Sequence, residues 1–407
     1  MSAMGYKEAE KLLLENIKPV GTETVSTEDL FSRIPAEDLA ADQDVPHFDR
    51  SPYDGYAFMA EDTIDASESN PVTLQVIENI RAGQTAEKEV VSGTAVRLMT
   101  GAPLPAGADA ICMYEDTDFT DDSVSLKHPY SAGDNIIWHG EDIKKGTLLV
   151  KRGTIVDAAV MGIVSSLGMS GMPVYKKPVA GVISTGDELV DINQELKPGK
   201  IRNSNKYILF GALKSIGIDT AYIGHASDDI RDIYDKIIAA EKISDIIIST
   251  GGVSAGDYDL VPDAMQEAGY EIIVKGIDMK PGMACAFGVK DGRIMLALSG
   301  NPASALTNLQ CVCYPALKKL AGLADHDHTC IKMRLKNDFT KSRKGMRFVR
   351  GVLSIEEGAA VFAAPEKQGN IVISSAALCN AYACLPKGKE PLKAGDVVDG
   401  FIVNGRY

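Results

Sequence analysis

Apolar and amphipathic segments alternate regularly between residues 178 and 325. Unbroken runs of four or five apolar residues are typical of parallel strands that are buried on both faces. Helices must connect such strands and cover the sheet, so the pattern predicts a doubly wound α/β domain. The predicted strands are 179–183, 220–224, 245–249, 271–274 and 294–298, and the predicted helices are 203–216, 228–241, 260–268 and 302–321.

The flanking regions have different patterns. Residues 4–17 have helical spacing that ends at Pro19, and residues 27–39 are predicted to continue as helix and turn. From residue 44 the chain is rich in Pro, Gly and Asp, with short alternating segments that predict a β-rich insertion. A helix is predicted over 158–166. After residue 322, five short strands predict a small barrel or sandwich: 330–335, 348–353, 359–364, 381–385 and 397–403.

These patterns predict a multidomain α/β protein, as expected for 407 residues. A helical linker domain is expected from residues 1–45 together with 141–177, and an inserted β-rich domain from 46–140. The doubly wound α/β domain is expected over 178–325, and a C-terminal β domain, barrel-like in outline, over 326–407.

Charge and cysteine content narrow the class of protein. The net charge of −14 argues against nucleic-acid binding and against a basic membrane surface. The chain has no apolar run of 18 residues and no signal-peptide pattern at its start. The seven cysteines lack a Cys-x-x-Cys pair, which favours buried thiols in the cytoplasm. His326 and His328 have the spacing of a metal pair, but their polar surroundings favour a solvated linker.

The strongest chemical signal is a Ser-Thr-Gly sequence that twice follows a predicted strand. It occupies 184–186, before Asp187 and Glu188, and 249–251, before a segment that contains Asp257 and Asp259. Ligands bind beyond the carboxyl ends of such strands, where glycines let backbone N–H groups approach an anion. Carboxylates add the oxygen ligands that Mg²⁺ takes. The alternative is an ordinary glycine-rich turn, which would not need two acids.

A third turn is predicted at the same edge of the sheet. Residues 298–305 form a strand, a turn and a helix start, with Pro302 suited to the first helical turn. Gly300 and Asn301 would present backbone N–H groups beside the two Ser-Thr-Gly turns. Lys275 or Lys280 would supply positive charge there.

Together these motifs resemble the molybdopterin molybdenumtransferase family, which comprises the MoeA proteins and the E domain of gephyrin. The matching segments follow the family order through almost the whole chain: 44–57, 99–105, 140–143, 184–189, 249–259, 280–282 and 300–302. The resemblance implies that the α/β domain binds molybdopterin and is similar to the adenylyltransferases of the same pathway. It also implies an elongated homodimer whose site lies where one subunit's insertion meets the other's α/β domain.

The resemblance implies a reaction as well. Adenylylated molybdopterin is hydrolysed at its pyrophosphate, molybdate is inserted at the dithiolene, and AMP is released with the help of Mg²⁺. The other implied partners are molybdopterin adenylyltransferase and the enzymes that accept the cofactor. The implied catalytic residues are Asp54, Thr100, Asp142, Glu188, Asp228 and Asp259, of which Asp54, Asp142, Glu188 and Asp259 are the metal ligands. The expected substrate-binding residues are Ser184, Thr185, Gly251, Gly252, Ser254, Gly256, Lys275, Lys280, Gly300, Asn301, Pro302 and Arg350.

Two positions depart from the family pattern. Met283 stands where the family commonly has the second lysine of Lys-Pro-Gly-Lys-Pro, and Ser299 stands where it commonly has proline. The loss of a lysine removes charge from a region expected to face an oxyanion. These departures leave open a preference for tungstate. Two other functions remain open, the adenylylation step and a non-catalytic scaffold like gephyrin, although the retained acids count against a scaffold.

Overall fold

A computed structural model describes residues 4–254, 260–341, 343–388 and 391–403. The chain divides into two compact units. The larger unit comprises Met1–Glu37, Arg152–Asp157 and Gly171–Tyr407, and the smaller unit comprises Asp38–Lys151 and Ala158–Ser170. The four domain boundaries expected from the sequence stay a prediction. No helix in the described ranges is long and apolar enough to cross a membrane.

The first elements belong to the larger unit. Helix α1 spans Tyr6–Glu15, and β1 spans Thr22–Ser26. The prediction of helix and turn over 27–39 was largely wrong, because only Thr27–Asp29 form a short 3₁₀ turn. Ala9 and Leu13 lie on one face of α1, four residues apart, and both are buried in the largest core.

The smaller unit is built around a six-stranded sheet, as the alternating pattern predicted. Its strand order is β6-β3-β5-β4-β8-β7, and a separate pair joins β2 to β9. Gly55 in β3 lies so close to β6 that a Cβ atom there would overlap the carbonyl oxygen of Cys112. The elements are β2 Leu39–Ala40, β3 Gly55–Phe58, β4 Val72–Ile80, β5 Thr94–Leu98, β6 Ala110–Met113, β7 Thr117–Phe119, β8 Ser123–Leu126, β9 Leu148–Val150 and α2 Ala158–Ser166.

The rest of the larger unit begins with the predicted α/β fold. Its six-stranded sheet has the order β14-β11-β15-β19-β18-β16, in which the first four strands are parallel. The elements are β10 Gly171–Tyr175, β11 Val179–Thr185, β12 Leu189–Val190, β13 Ile201–Arg202, α3 Ser204–Lys214, β14 Asp219–Ala226, α4 Ile230–Glu241, β15 Ile246–Thr250, α5 Val261–Glu267, β16 Glu271–Lys275, β17 Met279–Lys280, β18 Cys285–Lys290 and β19 Arg293–Leu298.

Two departures from the predicted α/β elements have physical causes. Strand β18 was not predicted, because its sequence contains a glycine and ends in lysine; it forms an antiparallel hairpin with β19. The long helix predicted over 302–321 is divided into α6 Pro302–Asn308, a π-helical turn at Leu309–Cys313 and α7 Tyr314–Leu320. The π turn precedes Pro315, which cannot donate an intrahelical hydrogen bond.

The C-terminal strands close into a five-stranded barrel. Of the two predicted forms, barrel and sandwich, the barrel is therefore the one observed. Strand β21 pairs with both β22 and β23, and the circuit is completed through β20 and β24. Strand β17 adds to the barrel sheet beside β21. The barrel strands are β20 Thr329–Leu335, β21 Met346–Glu356, β22 Ala359–Ala363, β23 Ala381–Leu385 and β24 Val397–Ile402.

Two of the smaller sequence predictions need correction. Cys330 is exposed, although Cys112, Cys285, Cys311 and Cys313 are buried thiols as expected. His328 is not part of a solvated linker: its ring stacks on Phe401 with centroids 4.0 Å apart. Burial lowers the pKa of His328 to about 4.

Replacing Gly55 with alanine should destabilise the smaller unit by about 1–3 kcal/mol, because β3 and β6 must separate to admit the methyl group. Thermal and urea unfolding of the intact chain would measure the change. Gly211→Ala is the matched control, since Gly211 lies inside α3 with open space around it. Equal unfolding midpoints for Gly55→Ala and wild type would contradict the packing argument.

His328 should make stability depend on pH. Its pKa is lowered from 6.5 to about 4 in the folded chain, so between these values the unfolded chain binds a proton that the native chain does not. Stability should therefore fall by about 1–3 kcal/mol as the pH is lowered from 7 to 4. Urea unfolding of wild type and His328→Phe across this range should give a shallower dependence for the variant. Parallel curves would refute the assignment.

Candidate active site

The two Ser-Thr-Gly turns lie at one edge of the α/β sheet, as the sequence predicts. Strands β11 and β15 are parallel neighbours in which Ser184 pairs with Thr250, and Thr250 pairs with Leu298 of β19. The hydroxyl of Thr185 donates to the carbonyl oxygen of Thr250 at 3.3 Å, which ties the two turns together. The carboxyl ends of three strands therefore present their turns side by side, where open α/β sheets bind ligands.

The second turn needs glycine at two positions. Gly251 and Gly252 have φ values of +99° and +63°, in the region that favours glycine. A Cβ atom on Gly251 would lie 2.6 Å from the carbonyl oxygen of Thr185. The close approach of β11 and β15 thus requires a residue without a side chain. Ser254 is exposed beyond this turn, whereas the predicted site residues Gly256 and Asp259 lie outside the described residues.

Asn203 and Asn205, at the start of α3, connect this helix to the turns at the sheet edge. Neither was predicted as a site residue. Asn203 caps α3 by accepting the N–H of Lys206 at 3.1 Å, and its amide donates to Ser184 Oγ at 2.8 Å. Asn205 donates from Nδ2 to the carbonyl oxygen of Gly300 at 2.8 Å. The Asn-Ser-Asn sequence before a helical pattern is an N-cap signal, which predicts the contact between Asn203 and Lys206. No local pattern predicts the contact between Asn205 and Gly300, because Gly300 is far away in sequence.

Three buried polar atoms at the end of β15 and the start of α3 lack hydrogen-bond partners among the described residues. Asn205 Oδ1, Ser249 Oγ and Thr250 Oγ1 have no hydrogen-bond partner in the part of the chain that the structure describes. Thr250 is 1% exposed and Asn205 is 9% exposed. An unsatisfied buried polar group costs about 1–3 kcal/mol, so native proteins rarely retain several of them without a ligand or an ordered water.

The predicted acids of the larger unit lie on the neighbouring loops. The N–H of Asp187 faces a carboxylate oxygen of Asp228 at 3.4 Å, and the reverse contact has the same length. The Glu188 carboxylate folds back against Gly186, where a Cβ atom would collide with it. Asp187 and Glu188 are exposed, whereas Asp228 is partly buried. Within the described ranges, no group of three or more His, Cys, Asp or Glu side chains is arranged to hold a metal ion.

Asp54 and Thr100 meet in the smaller unit. Asp54 Oδ1 accepts both the N–H and the hydroxyl of Thr100 at 2.7 Å. These hydrogen bonds hold the pKa of Asp54 below its ordinary value, so the carboxylate is anionic and fixed in direction. Asp142 lies elsewhere in the same unit, where its N–H donates to the carbonyl oxygen of Val45 at 3.1 Å.

Backbone hydrogen bonds join the three motifs that supply these residues. Val45 exchanges backbone hydrogen bonds with Ile143, and Ser51 does so with the turn at 101–102. The segment 44–57 is therefore bonded directly to both 99–105 and 140–143, which are far from it in sequence. The rigid turns predicted from their Pro and Gly content act as a frame for Asp54, Thr100 and Asp142.

The remaining predicted binding residues are spread over the larger unit. Lys275 is exposed at the end of β16, and Lys280 is exposed on β17. Pro302 occupies the first turn of α6, as predicted, with Asn301 before it.

The Arg350 guanidinium is buried and donates to Ser375 Oγ at 2.8 Å and to the carbonyl oxygen of Val372 at 2.7 Å. These bonds give Arg350 a role in holding the 372–375 segment, and its contact with substrate stays a prediction.

Family comparisons cover most of the chain. The MoeA N-terminal region (domain I and II) matches residues 4–168, a probable molybdopterin-binding domain matches 181–319, and the MoeA C-terminal region (domain IV) matches 332–401. The molybdopterin molybdenumtransferase of Bacillus subtilis (strain 168) is 36% identical over 387 residues, with 94% of this chain and 90% of the relative covered. The protein of the same name from Staphylococcus aureus (strain Mu50) is 33% identical, covering 97% and 94%.

Solved structures agree with these sequence matches. The crystal structure of the molybdopterin biosynthesis MoeA protein from Pyrococcus horikoshii OT3 superposes with a TM-score of 0.84 at 31% identity. The match covers 98% of this chain and 100% of that one. With sequence, fold and motif order in agreement over nearly the full length, this chain belongs to the molybdopterin molybdenumtransferase (MoeA) family.

Proposed function

We propose that this protein is a molybdopterin molybdenumtransferase, which inserts molybdate into adenylylated molybdopterin and releases AMP during molybdenum cofactor biosynthesis. The observation that carries the proposal is the shared edge of β11, β15 and β19. There, two Ser-Thr-Gly turns meet beside the buried, unpartnered atoms Thr250 Oγ1 and Asn205 Oδ1. Family membership makes a pterin phosphate the ligand that best suits this edge.

The turns and the acids have complementary tasks in this reaction. The positive-φ glycines of the second turn let backbone N–H groups approach phosphate oxygens, as in other anion cradles. Glu188 and Asp228 lie on the loops that follow β11 and β14, where they could hold Mg²⁺ jointly with substrate phosphates. When bound, the ion would neutralise charge that develops on the pyrophosphate. The chain's own residues orient the phosphates so that water can attack.

The choice of oxyanion is part of the proposal. Molybdate is the first candidate, because the named relatives are molybdenumtransferases. Tungstate is the second candidate, left open by Met283, which is 60% exposed at the position where the family motif has lysine. The adenylylation step is disfavoured by the N-terminal and C-terminal regions that flank the α/β domain, and a pure scaffold role by the acids retained in both units.

We also propose a cytoplasmic homodimer in which each active site combines Asp54, Thr100 and Asp142 of one subunit with Glu188 and Asp228 of the other. This assignment follows from the family and from the division of the predicted acids between the two units. Molybdopterin adenylyltransferase would supply the substrate, and acceptor enzymes would take the product.

Glu188→Gln should lower AMP release by at least about 100-fold, because the amide keeps the shape of the side chain but cannot supply negative charge to a cation. The assay would follow AMP by chromatography with adenylylated molybdopterin, Mg²⁺ and either molybdate or tungstate. Glu195→Gln is the matched control, since Glu195 is an exposed acid on the following loop. Normal turnover by Glu188→Gln would refute its role, and no AMP release by wild type with either oxyanion would refute the proposed function.

A mixture of two inactive variants should regain activity if the site is shared between subunits. Asp54→Asn and Glu188→Gln subunits, once exchanged, would form heterodimers in which one of the two sites carries both native acids. Random exchange between two-fold dimers predicts about a quarter of wild-type AMP release. Each variant incubated alone is the control. If the mixture remains as inactive as its components although exchange is complete, the shared site is wrong.

A further inference from the structure

Arg97 of β5 is a cation without an anionic partner in a strongly acidic part of the chain. The smaller unit contains 21 Asp and Glu residues but 8 Lys and Arg. Even so, the Arg97 side chain forms no ion pair or hydrogen bond with any residue that the structure describes. Its Nε atom is buried without a partner, although the residue as a whole is partly exposed.

Aromatic rings hold the Arg97 guanidinium in place. Its Cζ atom lies 4.6 Å from the ring centroid of Tyr114 and 5.8 Å from that of Phe119. The Tyr114 ring stacks on Tyr56 with centroids 5.6 Å apart, and Tyr56 is fully buried opposite Arg97 in the pairing of β3 with β5. An aromatic face attracts a cation without using its N–H groups. The guanidinium is therefore fixed while its donors stay available to an acceptor.

The same aromatic residues are joined to the predicted acid Asp54. The N–H of Tyr114 donates to the carbonyl oxygen of Asp54 at 3.0 Å. Thr100, which holds the Asp54 carboxylate, follows Arg97 closely on one segment. Hydrogen bonds from Thr100 are the main cause of the lowered pKa of Asp54, and the positive charge of Arg97 adds a smaller contribution. Arg97 therefore lies beside the candidate site residues of the smaller unit.

Arg350 illustrates the structural use of an arginine in this chain. Its guanidinium donors are taken up within the fold, by Ser375 Oγ and the carbonyl oxygen of Val372. Arg97 has no such acceptors, so a structural role would use only the aromatic contact and leave its charge unpaired. Guanidinium groups form paired hydrogen bonds with the oxygens of phosphate. A phosphate group is thus the ligand that suits Arg97.

The proposed reaction supplies two phosphates, one on the pterin half of the substrate and one on the nucleotide half. The glycine turns of the larger unit are the proposed cradle for the pterin phosphate. The nucleotide phosphate then remains for the smaller unit, whose carboxylates Asp54 and Asp142 would repel it. A fixed cation beside Asp54 offsets that repulsion.

We propose that Arg97 is a substrate-binding residue, which contacts the phosphate of the nucleotide half of the substrate and keeps that contact with AMP as product. The identity of this ligand rests on the proposed function. The contact assigns the smaller unit a share in substrate recognition besides that of its acids. Because the aromatic rings hold the guanidinium before the ligand arrives, little conformational freedom is lost on binding.

Calorimetric titration of the intact chain with AMP and with adenosine tests the contact, because the two probes differ only in the phosphate. Wild type should bind AMP more tightly than adenosine. Arg97→Gln should weaken AMP binding about tenfold or more, the effect of losing a charge-assisted hydrogen bond, and leave adenosine binding unchanged. Arg97→Lys should weaken AMP binding about threefold, since an ammonium keeps the charge but not the paired hydrogen bonds.

Lys127→Gln is the matched control, because Lys127 is a cation of the same unit that already pairs with Asp118 at 2.9 Å. Its affinity for AMP should equal that of wild type. Circular dichroism and thermal unfolding would establish that each variant is folded. If Arg97→Gln does not fold, Arg97→Lys decides the question, because it keeps a cation over the rings; wild-type affinity for AMP in that variant would then overturn the proposal.

Three further results would count against Arg97 as a phosphate ligand. Wild type that binds AMP no more tightly than adenosine has no phosphate contact. Folded Arg97→Gln with wild-type affinity for AMP shows that the contact lies elsewhere. Equal weakening of AMP and adenosine makes the role structural. If the binding results are as expected but wild type releases no AMP from adenylylated molybdopterin, the proposed function fails while the phosphate contact stands.

Discussion

The parallel pairing of β11, β15 and β19 is the constraint on which the candidate site depends. Because side chains alternate across a strand, the register that buries Val182, Ile248 and Leu296 on one face also fixes Ser184 and Thr250 at the sheet edge. A slip of one residue would send these polar groups to the opposite face and place apolar residues at the turns. The hydrophobic core thus determines the positions of the polar groups, although it takes no part in the chemistry.

Several features at the edge of the sheet lower the stability of the fold. Thr250 Oγ1 and Asn205 Oδ1 are buried without partners, and Gly251 occupies a conformation that other residues rarely adopt. Each of these features costs free energy in the empty protein. The large core shared by α1, the α/β sheet and the barrel offsets that cost. In the smaller unit, Asp54 shows the opposite arrangement, because Thr100 satisfies its carboxylate before any ligand arrives.

Much of this organisation can be predicted from the sequence, since it depends on local patterns. A distinct period or composition marks the four parallel strands of the α/β sheet, the Ser-Thr-Gly turns and the five barrel strands. Strand β18 was missed because Gly288 and Lys290 weaken its apolar pattern. The roles of Asn205, His328 and Arg350 were missed for a different reason. Each depends on a partner at least 22 residues away, and no local pattern encodes such a pairing.

The core that joins α1 to the barrel has a consequence for synthesis of the chain. Ala9 and Leu13 near the start pack in the same cluster as Phe348 and Phe401 near the end. At ribosomal rates of about 5–20 residues per second, roughly 20 to 80 seconds separate the emergence of these partners. Until residues 309–320 emerge, the apolar face of α1 lacks the π turn and the helix α7 against which it packs. The nascent chain should therefore expose an apolar helix face for most of its synthesis.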